Sequence, residues 1–342
     1  MKQNNIIAGP CSAETREQII DTARELCNLG YMNFRAGVWK PRTKPGGFEG
    51  NGEEALKWLK EAKEIYGIEP YVEVAKPEHV LLCKKYGIKN IWIGARTTAD
   101  PFAVQELADT IKGSDFNVLI KNPVSPDVEL WIGAIQRIQN AGISNIKAIH
   151  RGFTVYKEKY YRNAPLWGIP LELKRRMPNI ELICDPSHIT GNSDIIKDVM
   201  QKALDFGFDG FIVESHINPC EAWTDAKQQI TPDDLDSIVK SLEVKQSNGL
   251  DKESRTLLNS YRSTINILDE KIIFYLGERM KLCESIGRLK NNNNVSVVQM
   301  DRWGSLLENN IQLGEKEGLS KDFITKIWNT IHEESLNIQE NI

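Results

Sequence analysis

Between residue 5 and about residue 243 the chain alternates short β-rich apolar runs with longer amphipathic ones. NIIAG, MNFRAGV, EPYVEV, NIWIGA, NVLIKN, NIKAIHR, ELICDPS and GFIVES read as strands. Between them lie helical patterns such as REQIIDTARELCNLG and NGEEALKWLKEAKEIYG, each closed by a glycine. Eight strands, each followed by a helix, predict parallel pairing through right-handed crossovers. A closed barrel and an open doubly wound sheet both fit that alternation. Eight units within these residues favour the barrel, whose usual size is about 250 residues.

The strand ends carry a second pattern. Cys11, Arg35, Arg96, Lys121, Arg151, His188 and Glu214 sit at or just beyond the C-terminal ends of seven of the predicted strands, and the strand after Pro70 ends near Glu73. In a (β/α)₈ barrel those ends meet on one rim, where catalytic loops sit; in an open sheet they would spread along an edge. The expected fold class is therefore α/β, a (β/α)₈ TIM barrel over residues 1–243.

Near EVKQSNGLDKE the text turns polar and the strand signal stops, so 244–250 reads as a linker. The segment LLNSYRSTINILDEKIIFYLGERMKLCESIGRLK then keeps apolar residues at helical spacing over many turns. Two shorter helical stretches follow, near 298–313 and 320–340, with Ser320 as N-cap of the last. A long helix and two short ones cannot bury such a stripe alone. Residues 251–342 are expected to form a three-helix all-α domain that dimerises.

Bulk properties narrow the function. The net charge of −4 gives no general attraction to nucleic acid or acidic membrane, and no apolar run approaches the ~20 residues of a membrane span. The start, MKQNNIIAGPCS, does not resemble a secretory signal. Six scattered cysteines without a C-x-x-C pair suit a reducing compartment, and a cytoplasmic location is expected.

Cys11, His188, Glu214 and Asp225 are common metal-ligand types that a barrel rim could gather. A thiolate, an imidazole and two carboxylates suit a borderline divalent ion and do not choose among Mn²⁺, Fe²⁺, Co²⁺ and Zn²⁺. Arg35, Lys40, Arg42, Arg96, Lys121 and Arg151 crowd the same strand ends and imply bound phosphate or carboxylate groups. Polyanions beside a Lewis acid suggest carbonyl chemistry on sugar phosphates.

AGPCS, WKPRT, GARTT, LIKNP, HRGF, DPSH, the Glu of IVESH and the Asp of WTDAKQQ stand in the order found in 3-deoxy-D-arabino-heptulosonate 7-phosphate (DAHP) synthases. Residues 1–245 resemble the class of that family without large barrel insertions. The resemblance implies a (β/α)₈ barrel that condenses phosphoenolpyruvate with erythrose 4-phosphate and releases phosphate. It implies Cys11, His188, Glu214 and Asp225 as ligands of one divalent ion, with Mn²⁺ expected and Fe²⁺, Co²⁺ or Zn²⁺ as alternatives, and Arg35, Lys40, Arg96, Lys121 and Arg151 as the phosphoenolpyruvate site. Lys40, Pro41, Arg42 and Thr43 would contact erythrose 4-phosphate, with Lys40 as proton donor to the aldehyde oxygen. The general base for water stays open between a metal-bound hydroxide and a rim carboxylate. The rival within the fold, octulosonate 8-phosphate synthase, typically reads K-A-N-R-S where this chain has KPRT, so Pro41 and Arg42 favour the four-carbon sugar. The first strand begins only a few residues into the sequence, so no N-terminal regulatory domain is expected.

The tail resembles the all-helical chorismate mutases, with Arg262, Arg279, Lys290, Arg302, Ser335 and Gln339 on that family's substrate-binding positions in order. The resemblance implies rearrangement of chorismate to prephenate. Arg262, Arg279 and Arg302 would hold carboxylates, and Lys290 and Gln339 would donate to the breaking ether oxygen. Each site would borrow Arg262 from a partner, hence a dimer, with pairing into tetramers left open. Trp303 stands where the family usually has a Glu, and Gln299 where an Asp is frequent. The leading expectation is a bifunctional enzyme with small-molecule substrates. The alternative makes the tail a dimerising allosteric sensor of chorismate or prephenate that inhibits the barrel, with weak or no mutase activity.

Overall fold

The computed structural model describes residues 5–40, 46–244, 251–296 and 300–341. Pro41, Arg42, Thr43, Gln299 and all of the expected linker after residue 244 lie outside the described residues. The chain divides into two compact units, one reaching residue 246 and the other starting at residue 247.

The first unit is a closed parallel barrel of eight strands in sequence order. The strands are β1 (Ile6–Gly9), β2 (Asn33–Ala36), β3 (Glu69–Val74), β4 (Asn90–Ile93), β5 (Asn117–Lys121), β6 (Ile146–His150), β7 (Glu181–Cys184) and β8 (Gly210–Glu214). Their β-branched runs are buried because both faces are covered, by side chains inside and by helices outside. Ile7, Trp92, Leu119, Ile149, Ile183 and Ile212 fill the interior, while the alternate residues pack against the helices in a separate, larger core. Closure is made by β1 against β8, and that register pairs Gly9 with Glu214. The pairing fixes the heights of the first and last strand ends, which carry much of the site described below.

The sequence suggests one helix per strand. Two additional short ones occur, Ala95–Thr98 after β4 and Pro186–Thr190 after β7. Asp185 caps the second by accepting from His188 N, with Pro186 at the first helical position. These turns carry Arg96 and His188, so both side chains leave a helix rather than a strand.

The second unit contains a helix of 41 residues, Lys252–Asn292, followed by Met300–Lys316 and Lys321–Glu340. Ser320 caps the last helix by accepting from Phe323 N. Both the long and the middle helix pack against the last one. Gly314 permits close approach, since a Cβ there would run into the Ile324 side chain. Much of the long helix has nothing over it: Tyr261, Ile265, Leu268, Ile272 and Tyr275 are between 50 % and 68 % exposed. Their alternating steps of four and three form a coiled-coil seam.

One buried group ties the barrel's stability to pH. His150 ends β6 on the helix-facing side, among Trp131, Phe153, Trp167 and Phe208. Burial pushes its pKa down to about 3, and the Pro165 backbone offsets only part of that cost. The unfolded chain therefore binds the extra proton more readily. This contribution is fully present above about pH 6.5 and is lost as the pH falls toward 3, by up to about 5 kcal/mol. His150→Phe should flatten that part of the acid limb in urea melts of the barrel. Equal slopes in the two proteins would contradict the assignment.

Candidate active sites

The barrel's C-terminal mouth holds a cavity of about 510 Å³ lined by Lys40, Glu73, Arg96, Lys121, Arg151, Arg162, His188 and Asp225, among others. Cys11, Arg35 and Glu214 are buried strand-end residues of the same mouth. Ligand atoms of Cys11, Glu214 and Asp225 all lie within 4.8 Å of one another. His188 stands beside this trio, with Nε2 3.8 Å from Glu214 Oε1. The structure thus gathers all four candidate ligands at one place, three as a tight cluster and the imidazole on its edge.

Charge neutralisation explains how these groups survive out of water. Arg35 is 1 % exposed; its Nη2 donates to Glu214 Oε1 at 3.0 Å. Its Nε and Nη1 are buried without a hydrogen-bond partner. Lys121 Nζ donates to Asp185 Oδ2 at 2.7 Å, and both Arg35 and Lys121 sit over the Trp92 ring. Lys40 Nζ donates to Cys11 Sγ at 3.0 Å. Gly37 makes room for this contact, because a Cβ there would meet the Cys11 carbonyl and the Lys40 side chain.

The protonation states follow from the same neighbours. Burial, then the Glu214 charge, push the Cys11 thiol up to about 11, against the pull of Lys40. A divalent ion at the sulfur would reverse that balance. Burial alone would raise Glu214, but His188, Arg35 and Lys40 outweigh it and hold the carboxyl down at about 2. Lys40 is raised despite burial, because Cys11 and Glu214 stabilise its charge. Burial lowers Arg151 to about 10.

Three residues of the site, Asp185, Arg162 and Gln228, escape the sequence reading. Asp185 is fully buried, grips Lys121, and lies 3.0 Å from His188 Nδ1, which leaves Nε2 as the nitrogen turned toward Glu214. In the sequence its Asp-Pro pair signals only a helix cap. Glu73 faces the cavity and accepts from Trp92 Nε1 at 2.9 Å. Arg162 reaches the candidate ligand Asp225 across 63 residues, and Gln228 reaches Glu214 across 14.

In the helical unit a cavity of about 340 Å³ is lined by Arg279, Lys290, Arg302, Trp303, His332, Ser335 and Gln339, with Cys283 and aliphatic side chains. Arg279 donates to Ser335 Oγ, Gln339 Nε2 donates to the Ser335 carbonyl, and Gln339 Oε1 is buried without a partner. Trp303 stacks on His332, with centroids 3.8 Å apart and planes 9° apart. Arg262 does not line this cavity. It lies 17 residues before Arg279 on the same helix, which at about 1.5 Å per residue is roughly 25 Å away.

Residues 2–249 match the family described as DAHP synthetase I, and residues 261–340 match chorismate mutase type II. The barrel is 32 % identical over 227 residues to the phospho-2-dehydro-3-deoxyheptonate aldolase of Thermotoga maritima, covering 66 % of this chain and 64 % of that protein. The tail is 36 % identical over 89 residues to a bifunctional chorismate mutase/prephenate dehydratase of Buchnera aphidicola, covering 26 % of this chain and 23 % of that one. The chain thus spans less than two thirds of the length of either relative. The crystal structure of the Thermotoga maritima DAHP synthase superposes with a TM-score of 0.62 at 29 % identity, over 69 % of this chain and 67 % of that one.

The buried pairing around Asp185 is open to a direct check. Asp185→Ala strands the Lys121 charge and is expected to cost about 3–5 kcal/mol in urea unfolding of the barrel. A loss below about 1 kcal/mol would mean that the pair is solvated and the stated electrostatics are wrong.

Proposed function

The chain belongs to the DAHP synthetase I family, and from that membership we propose that it condenses phosphoenolpyruvate with erythrose 4-phosphate to form DAHP and phosphate. The observation that carries the reading is one polar cavity lined by cations, which a compact thiol–carboxylate cluster of Cys11, Glu214 and Asp225 meets at Asp225. The family is generally metal-dependent, and the donor set here fits a borderline divalent ion, for which Mn²⁺ is our assignment. Cys11, His188, Glu214 and Asp225 would hold it; when bound, it supplies Lewis-acid polarisation of the aldehyde.

The protein's own groups do the rest. Arg35 brings two buried donors that lack partners, a poised receptor for an anion's oxygens. Arg96, Lys121 and Arg151 line the cavity and, with Arg35 buried at the same mouth, would complete the phosphoenolpyruvate site. The methylene carbon of phosphoenolpyruvate attacks the aldehyde. Lys40, kept protonated by Cys11 and Glu214, donates the proton to the developing alkoxide. Water then adds at C2 and the hemiketal phosphate collapses by C–O cleavage. Pro41, Arg42 and Thr43 are assigned to erythrose 4-phosphate from the sequence motif alone.

The helical unit carries the second proposed activity, rearrangement of chorismate to prephenate. Arg279 and Arg302 suit the two carboxylates, and Lys290 with Gln339 suits the ether oxygen as charge separates. The distance of Arg262 from this cavity supports a dimer, in which the partner's copy completes the site and the exposed seam is covered. One observation favours a binding-only role under allosteric control. Among the described residues no carboxylate lines the cavity, and Trp303, at the sequence position where the resembled family usually has a Glu, stacks on His332.

Three outcomes are expected. With phosphoenolpyruvate, erythrose 4-phosphate should yield the seven-carbon product at a rate that five-carbon aldose phosphates do not approach; equal use of both would remove the assigned specificity. A chelator should abolish synthase activity and Mn²⁺ should restore it. Arg279→Ala should remove prephenate formation and leave the synthase rate intact. A native protein that binds chorismate without forming prephenate would select the binding-only role instead.

A further inference from the structure

Two side chains outside the ligand set bind its carboxylates to each other. Gln228, 1 % exposed, ends the single 3₁₀ turn Ala226–Gln228 that follows Asp225. Its Nε2 donates to Glu214 Oε2 at 2.6 Å, and its Oε1 accepts from Arg162 Nη1 at 2.5 Å. The same guanidinium nitrogen donates to Asp225 Oδ1 at 3.0 Å. The run Asp225–Arg162–Gln228–Glu214 is therefore continuous.

The geometry divides the oxygens of each acid. In Asp225, Oδ1 is committed to Arg162, while Oδ2 accepts from Cys11 Sγ at 3.5 Å and so faces the cluster. In Glu214, Oε2 is committed to Gln228, while Oε1 is the oxygen beside Arg35 and His188. Asp225 also has a left-handed backbone, with φ 48°, which a non-glycine residue keeps only where its surroundings enforce it.

The fold reserves space for this arrangement. A Cβ at Gly191 would run into the Arg162 side chain. The backbone amides of Arg162 and Asn163 donate to the carbonyls of Thr190 and Ile189, directly after His188. The strap that presents Arg162 is thus anchored on the segment carrying the imidazole.

We propose that Gln228 and Arg162 act as a positioning clamp that presents Glu214 and Asp225 as single-oxygen ligands and sets the affinity of the site for its divalent ion. The clamp rests on the metal reading given above and adds to it residues that no ligand list contains. Single-oxygen carboxylates favour an ion of low coordination number over a large, oxygen-rich one such as Ca²⁺. An amide is required at 228 because it offers a donor to Glu214 and an acceptor to Arg162 at once. A carboxylate there would have no donor and would repel Glu214.

The test uses the full chain stripped of metal, with Mn²⁺ as the probe in calorimetric titration. The native protein should bind one Mn²⁺ per chain. Gln228→Leu, Gln228→Glu and Arg162→Gln should each weaken it by about 10–100-fold, as loss of an outer partner does elsewhere. The Mn²⁺ concentration for half-maximal synthase activity should rise in parallel, and the metal-free melting temperature of Arg162→Gln should stay near native. Native affinity in all three variants would overturn the clamp. A lower melting point with unchanged affinity would make these residues merely structural. Failure of the native chain to bind Mn²⁺, Fe²⁺, Co²⁺ or Zn²⁺ at all would overturn the metal reading itself, a separate result.

Discussion

Buried charge at the barrel mouth is the constraint that shapes this protein. Arg35, Lys121, Asp185, Glu214 and Cys11 have almost no access to water, and an uncompensated charge there would cost several kcal/mol. Opposite charges from different strand ends therefore have to meet: Arg35 of β2 with Glu214 of β8, and Lys121 of β5 with Asp185 after β7. The Arg35–Glu214 pair exists only because the sheet closes through β1 and β8. A one-residue slip of β1 on β8 would move Glu214 off its pairing with Gly9 and turn alternate side chains to the wrong face.

Neutralisation leaves a deliberate remainder. Arg35 keeps two donors without partners, Lys40 rests on a thiol, and the Cys11–Glu214–Asp225 cluster concentrates negative potential beside them. The proposed uptake of both a cation and polyanions would draw on these two regions of opposite sign, Arg35 keeping unpaired donors in one and the acids clustering in the other. The helical unit follows another logic. Its cavity is lined by Arg279, Lys290 and Arg302 with neutral partners, which suits a dianionic ligand without a metal.

Much of this is legible in the sequence, for identifiable reasons. Strands such as NIWIG and GFIVE are apolar on both faces, a signature of parallel sheets, and their number and spacing imply closure. Once closure is assumed, Cys11, Arg35, Lys121, His188 and Glu214 must face one rim. Partners that depend on exact three-dimensional approach are not legible. Asp185 looks like a helix cap and is one, yet it also holds Lys121 across 64 residues. Arg162 lies in a polar loop, and nothing local ties it to Asp225, 63 residues later. Trp303 is visible as a departure from pattern, whereas its stacking partner His332 is not, because helix packing decides that contact.

The central claim is that Cys11, His188, Glu214 and Asp225 enclose one divalent ion facing the arginines and lysines of the mouth. Anomalous diffraction from crystals grown with Mn²⁺ and phosphoenolpyruvate tests it most directly. A single strong peak is expected within about 2.0–2.5 Å of a sulfur, a nitrogen and two carboxylate oxygens of these residues, with phosphoenolpyruvate oxygens on Arg35 and Lys121. A peak elsewhere, or none at full metal occupancy of the protein in solution, would contradict it.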